Sequence, residues 1–380
     1  RACRTPFTLR VIEQTNQGAG AARNRGAREA RGEILIFLDD DIEATPQLVE
    51  AHLRAHQDRT GQVVIGYLPT ILPGKKDFFE GQLRNWWEAM FQRMRQPGYR
   101  FQYTDLLSGN FSLESQLFAQ VGGFNPHFRC HEDYEIGMRL LQAGGRFRFA
   151  PDATGYHHEM TDLDRSLRRK FQEGIADVAL GRCYPELIPT LLMVKLKRYS
   201  LLASRILQVL AFRWPAAGDY IVAFFQRSLA ILEKAKIRKV WRRVLYGLLG
   251  YWYWRGVAVE LRTGKDLELF LTTDPSVPHQ AMMELDLKYG LAEAERLLEL
   301  HAPAGVNLRY GKHAIGEIPA LPGAEPLQGA HLRHILATAL TAPMLKALAL
   351  EGKLRFPELS SKIVAACNER IPLLKSYDIS

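Results

Sequence analysis

Five consecutive apolar residues, Ile34-Leu-Ile-Phe-Leu38, run directly into three aspartates, Asp39-Asp40-Asp41. A run without polar alternation fits a strand buried on both faces, which belongs in a sheet covered by helices. The acids at its end narrow the choice further. In open α/β sheets ligands gather beyond the carboxyl ends of the strands. Adjacent carboxylates repel one another unless a cation or hydrogen-bond donors lie among them. The simpler reading is that the aspartates end a strand and cap the next helix, which requires no ligand.

The flanking sequence agrees with such a sheet. Leu9–Glu13 reads as a short strand, Gln14–Gly20 as a polar turn and Ala21–Ala30 as a helix stopped by Gly32. Thr45 and Pro46 fit the cap and first turn of a helix over Gln47–His56, and Gln62–Tyr67 fits a strand. Strand, helix, strand at this spacing predicts an α/β fold with a mostly parallel sheet flanked by helices. Residues 74–104, with Trp86, Trp87, Phe91 and Tyr99, read as a helix plus an excursion at the side of a cleft. Helices are expected over Gln116–Gly122 and Asp133–Gln142, the latter closed by Gly144-Gly145, and a strand over Arg146–Ala150. Beyond Gly181 the texture becomes helical, basic and aromatic. A last stretch carries the helix patterns Ala281–Leu300 and His331–Leu350 around a Pro/Gly-rich loop region at 302–327. The expected division is a sheet domain over 1–186, a basic aromatic helical region over 187–264 and a mainly helical accessory region over 265–380.

Charge is concentrated. Residues 191–260 hold 13 Lys/Arg against 3 Asp/Glu, enough to account for the whole formal excess of +9. Basic charge beside Trp, Tyr and Leu suits an anionic membrane surface, an anionic substrate or nucleic acid; a solvated helix face is the plainer alternative. No stretch reaches 18 uninterrupted apolar residues, so no spanning helix is expected. The cysteines Cys3, Cys130, Cys183 and Cys367 are scattered, which argues against a disulfide framework and for a reducing compartment. The opening Arg1-Ala-Cys-Arg resembles neither a natural start nor a signal peptide.

A second acidic cluster, His131-Glu132-Asp133, opens the helix at Asp133. Backbone N–H groups at a helix start keep a carboxylate ionised. Asp133 is therefore the candidate general base for an acceptor hydroxyl, with Glu132 beside it. Plain capping is the alternative. Asp41 and Asp39 are candidate ligands for Mg²⁺ or Mn²⁺ on a diphosphate, with His157 as a further ligand ahead of His158. His52 and His56, spaced i,i+4 without an HExxH pattern, read as structural. Gln17-Gly-Ala-Gly20 matches no phosphate-loop signature. Arg23, Asn24 and Arg25, just after it, are placed to reach a phosphate or ribose.

Taken in order, Asn16–Gly26, Ile34–Asp41, Ser108-Gly-Asn-Phe111, Gly122-Gly-Phe-Asn125 and His131-Glu-Asp133 with Arg139-Leu140 resemble the inverting glycosyltransferase family 2, with its GT-A nucleotide-diphospho-sugar fold. The resemblance covers roughly residues 8–180. It implies that Asp39 and Asp41 form a DxD-like motif for donor nucleotide and metal, that Asp133 is the base and that Arg23 and Asn24 lie near the nucleotide. It further implies that Gly109 and Asn110 line the sugar end, and that His157 lies near metal or diphosphate. The donor it implies is a nucleoside-diphosphate sugar, with uridine diphosphate commonest. The expected acceptor is a glycan, lipid-linked or other hydroxyl; the basic aromatic helices over 187–260 would suit cell-envelope polysaccharide or glycolipid synthesis by a cytoplasmic protein at the inner face of the membrane, and no nucleic acid is expected. Relatives begin with strands that precede the first residues here, so the catalytic domain reads as N-terminally incomplete. Two other readings stay open: a sugar-nucleotide nucleotidyltransferase, and a basic non-enzymatic protein binding the envelope or nucleic acid.

Overall fold

The computed structural model describes residues 7–57, 60–74, 77–199, 201–273 and 282–354. The chain divides into two compact units, residues 1–92 with 102–276, and residues 93–101 with 277–380. Cys3 and Cys367 lie outside the described residues; Cys130 and Cys183 are free thiols.

The first unit begins with helix α1 (Ala19–Glu29), strand β1 (Ile34–Leu38), the short β2 (Ile42–Ala44), helix α2 (Leu48–His56), and strands β3 (Gln62–Tyr67) and β4 (Thr70–Ile71). Helix α3 (Phe78–Met94), strand β5 (Asn110–Glu114), helices α4 (Ser115–Gln120) and α5 (Glu132–Gln142), and the long strand β6 (Arg146–His158) follow. The strand order is β1-β5-β3-β6-β2, with β4 also on β6. The expected α/β architecture is present, but the sheet is mixed. β3 pairs with β6 in parallel, whereas β5 runs antiparallel to both β1 and β3, and β2 antiparallel to β6. The run Ile34–Leu38 is not buried on both faces as expected: Leu35 and Phe37 are buried, Ile34 and Ile36 are half-buried and Leu38 is 40% exposed, because β1 ends the strand order; nor does an apolar run report strand direction. Direction follows from the connections, and the long path from β4 through α3 lets β5 enter from the opposite end. The extended Leu9–Glu13 segment forms no strand: Leu9 and Val11 are exposed, and no strand among the described residues pairs with it, although Arg10 bonds Glu29 of α1 at 2.7 Å.

The rest of the unit is helical: α6 (Leu163–Cys183), α7 (Leu192–Tyr199), α8 (Leu201–Arg213), α9 (Pro215–Lys234), α10 (Arg238–Leu261) and α11 (Gly264–Leu271). They share one core around Tyr251, Tyr253, Trp254 and Val257, all fully buried. Helices α6 and α10 approach at backbone distance. A Cβ on Gly256 would lie 1.9 Å from Phe171 O, and one on Gly174 2.2 Å from Tyr253 O.

The second unit contains strand β7 (Met283–Asp286), helix α12 (Leu291–His301), strands β8 (Val306–Tyr310) and β9 (His313–Ile318), and helices α13 (Gly329–Ala337) and α14 (Thr341–Leu350). Its three strands form the sheet β7-β8-β9. The helix expected over Ala281–Leu300 is thus a strand, a 3-10 turn and a shorter helix. Gly290, at φ 103°, stands where L-residues are strained and breaks the run. The pattern His331–Leu350 is likewise two helices, parted at Thr338–Leu340. Residues 302–327 hold β8 and β9 where loops were expected.

Candidate active site

The site is assembled where β1 ends. Asp39 N donates to Gly109 O at 3.1 Å, and the Asp39–Ile42 turn sends the chain into β2. β2 pairs with β6, Ile42 standing opposite His157, and His158 N donates to Asp41 O at 2.9 Å. This pairing brings residues over a hundred positions apart in sequence together: His157 Nε2 lies 3.5 Å from Asp41 Oδ2. The other ring nitrogen, Nδ1, is buried without a hydrogen-bond partner. Trp87 of α3 meets the His157 ring edge-on at 5.2 Å and donates its indole N–H to Glu159 Oε2 at 3.2 Å. Trp87 is a residue the sequence suggested only as part of a cleft wall. Asp40 is exposed. His158 pairs with Glu43 on the surface at 2.9 Å, away from Asp41.

Arg23 joins the two acidic clusters. From α1 its guanidinium donates to Asp39 Oδ1 at 2.5 Å and to Glu132 Oε1 at 3.1 Å, while lying over the Phe124 ring at 5.4 Å. Its side chain is 13% exposed, and burial alone would ease the proton off; Asp39 and Glu132 outweigh burial and raise its pKa. Asp39, expected beside Asp41 at a metal, is therefore held by Arg23. Among the described residues no group of three or more His, Cys, Asp and Glu converges as a complete metal cage.

Two expected contact residues are spent on the scaffold. Asn24 clamps Phe124 through both ends of its amide, Nδ2 to Phe124 O at 2.7 Å and Phe124 N to Oδ1 at 2.8 Å. Asn110 is fully buried; its amide donates to Ala153 O at 2.9 Å and its Oδ1 meets His52 Nε2 at 2.8 Å. Their side chains turn inward because each must satisfy buried backbone or ring groups that have no water to turn to. A Cβ on Gly66 would fall 2.2 Å from Asn110 Nδ2, which accounts for a glycine where β3 shifts register against β6. Gly109 does border the site: a Cβ there would stand 3.1 Å from Asp39 Oδ2. His52 and His56 are structural, both reaching Ser112 Oγ at 2.8 Å, and burial lowers the pKa of each.

At the start of α5, Asp133 Oδ1 accepts from Tyr134 N at 2.9 Å. Burial, then the neighbouring Glu132, push its carboxyl up to about 6, against the pull of His131 and Arg169. His131 holds the turn in a left-handed conformation, φ 59°, and stacks on Tyr134 at 4.4 Å. Its buried Nδ1 is 3.2 Å from Asp177 Oδ1 on α6. Burial opposes the imidazolium, but Asp177 more than compensates and raises the histidine's pKa. Asp177 Oδ2 accepts from Tyr253 OH of α10 at 2.6 Å, and that hydroxyl accepts from Met193 N at 3.0 Å. Sequence reading missed Asp177 and Tyr253. The available cue was one acid inside the apolar run Ile175-Ala-Asp-Val-Ala-Leu180.

Beside Arg23 and Asp39 an open groove of about 790 Å³ runs between α1 and β1, lined also by Asn16, Gly18, Gly26 and Leu38. That volume lies in the usual range for small-molecule sites.

Residues 2–122 match the family model of glycosyl transferase family 2, and residues 88–162 that of the N-terminal domain of galactosyltransferase. The chain is 31% identical to EpsH of Bacillus subtilis (strain 168) over 142 residues, 32% of this chain and 40% of that one. It is 20% identical over 185 residues to the glucosyl-dolichyl phosphate glucuronosyltransferase of Haloferax volcanii, 45% of this chain and 58% of that one. The matches thus span about half the length of these relatives. A solved mannosyltransferase from Pyrobaculum calidifontis, in complex with GDP-Man and Mn²⁺, aligns at a TM-score of 0.38 and 16% identity, covering 63% of this chain and 67% of that one.

Proposed function

We propose that this chain, which belongs to glycosyltransferase family 2 through residues 2–122, carries the catalytic centre of an inverting transferase. The donor is a nucleoside-diphosphate sugar, with uridine diphosphate the first to test, and the acceptor is a hydroxyl of an envelope glycan or lipid-linked sugar, at the inner face of the membrane. One observation carries the reading: a single guanidinium, Arg23, bonds Asp39 of the first acidic cluster and Glu132 of the second. Arg23 sets Glu132, the chain neighbour of the proposed base Asp133, against Asp39, and this supports one shared site.

In the proposed reaction Asp133 takes the proton from the acceptor hydroxyl. The oxygen attacks the anomeric carbon from the face opposite the leaving group, the bond to the diphosphate oxygen breaks, and the nucleoside diphosphate leaves with the electron pair. A carboxylate with a pKa of about 6 is ionised at neutral pH yet still basic enough to accept a proton as the alcohol loses it. Arg23, which lines the groove, would bear positive charge beside the leaving diphosphate as it develops its negative charge. Asp41 and His157 would offer a divalent cation one oxygen and one nitrogen donor, from side chains 3.5 Å apart. When bound, the cation would neutralise charge on the diphosphate.

The test is release of nucleoside diphosphate by the full-length protein from a panel of nucleotide sugars, with simple glycosides as acceptors. Asp133→Asn should keep donor binding and lose roughly 10²–10⁴ in turnover. Turnover within twofold of wild type would remove Asp133 from the base role, and silence across the whole panel would end the transferase reading.

A further inference from the structure

We propose that the outward face of α9, with the corner before it, docks on the surface of an anionic lipid bilayer. Gly218, Val222 and Leu229 turn one side of α9 into the helical core. On the opposite side Tyr220, Phe224 and Ile231 recur at spacings of four and seven residues, a single stripe along the helix, and they are 80%, 66% and 69% exposed. Phe225 and Ile221 adjoin this stripe, and Trp214 stands exposed where α8 hands over to α9. A helix facing only water would carry polar residues here. An exposed apolar stripe of this kind, interrupted by Arg227 and Ser228, marks a surface that meets something other than solvent.

The charge around the stripe selects the partner. Residues 201–250 contain nine Lys/Arg and two acids, Asp219 and Glu233. Both acids are engaged within the unit. Asp219 accepts from Tyr251 OH at 2.5 Å and faces Arg255 at 3.5 Å, and Glu233 accepts from Phe78 N at 2.6 Å. Arg213, Arg227, Lys234, Lys236, Lys239 and Arg242 are exposed. A second copy of the same face would set Arg227 and Lys234, which flank the stripe on α9, and Arg213 beside Trp214 against their own copies. A bilayer surface supplies anionic headgroups for them, an acyl boundary for Phe224 and Ile231, and the interfacial level that Trp214 and Tyr220 favour. Among the described residues no helix is long and apolar enough to cross a membrane, so α9 would lie in the plane of the surface.

This docking face is read from α9, the corner before it and the cations that follow it, and does not depend on the transfer chemistry. The intact protein should co-sediment with vesicles of phosphatidylglycerol and phosphatidylcholine, and far less with phosphatidylcholine alone. Phe224→Ser with Ile231→Ser should weaken vesicle affinity by about tenfold or more while leaving the melting transition in place, because both side chains point away from the core. Leu269→Ser on α11, also an exposed apolar position, should sediment as wild type. Binding without preference for phosphatidylglycerol, or undiminished binding of the double variant, would overturn the proposal. So would loss of self-association in place of vesicle binding, since that would assign the face to a second copy. Unchanged release of nucleoside diphosphate by the double variant toward a soluble acceptor would show that any loss is of docking and not of the catalytic site.

Discussion

Replacing Arg23 by methionine keeps the side chain's length and removes its charge, so it isolates what the junction contributes. The bond to Glu132 lies between groups 13% and 16% exposed, where a charged hydrogen bond contributes about 1.5–3 kcal/mol. Asp39 is 38% exposed, and its pair with Arg23 is discounted for solvent to about 0.5–1 kcal/mol. The contact over Phe124 adds about 0.5 kcal/mol, part of which methionine retains through its sulfur. Urea melting should therefore show a loss of about 2–4 kcal/mol at unchanged m-value. A cycle with Glu132→Gln should return a coupling of about 1–2 kcal/mol, since each single change strands the other partner. On the proposed mechanism the junction also bears on catalysis. Without Arg23 the charge of Glu132 acts unopposed on Asp133, whose carboxyl is already raised to about 6 by burial and by that neighbour. The acid limb of the kcat/KM profile should move to higher pH, and the Glu132→Gln double variant should move it back. Stability within 0.5 kcal/mol of wild type together with an unmoved limb would refute the claim that Arg23 joins the two clusters.

Three further outcomes follow from the same geometry. On the proposed mechanism Asp133 must be ionised to act as the base, so kcat/KM should fall about tenfold per pH unit below about 6 and level off above it; a limb near pH 4 would show that Asp133 does not control the rate. Asn110→Ala strands Ala153 O and the ring of His52 in the core, and thermal or urea melting should register a loss of about 2–4 kcal/mol; a neutral result would mean the amide is not the clasp described. Asp177→Asn should lower kcat more than it raises KM, with Tyr253→Phe a milder version, because both act on the turn that carries Asp133; equal changes in KM alone would deny a positioning role.

Much of the scaffold was legible because its signals are local. Ile34–Leu38, Gln62–Tyr67 and the helix after His131 each lie within a residue or so of their expected bounds, since an apolar run or a glycine stop acts over a few positions. Strand direction was not legible: nothing within Asn110–Glu114 says from which end it enters the sheet. The second unit misled for a related reason. Ala281–Leu300 has helical composition throughout, yet Leu285 and Leu287 are claimed by a core shared with β8 and α13, so tertiary pairing overrides propensity. At the site, residue types were readable and their partners were not. The sequence marks Arg23, Asn24 and Asn110 as polar groups near a ligand. Only the fold shows that two of them are consumed by backbone carbonyls and that the third binds carboxylates on both sides.

On the proposed mechanism the helical layer also aims the base. His131 occupies a left-handed turn that a side chain tolerates at some cost, and such a turn persists only where its surroundings hold it. Here the holding group is Asp177 of α6, itself fixed by Tyr253 of α10 and by Leu192 N at 3.3 Å. Those two helices are locked at backbone distance through Gly174 and Gly256. A methyl group at Gly256 would force α6 and α10 apart, move Asp177 away from His131 and release the turn that aims Asp133. Gly256→Ala should consequently cost activity at a position remote from any substrate. If it leaves turnover intact while lowering stability, α6 and α10 are a brace for the fold and the aim of Asp133 is set within α5 alone.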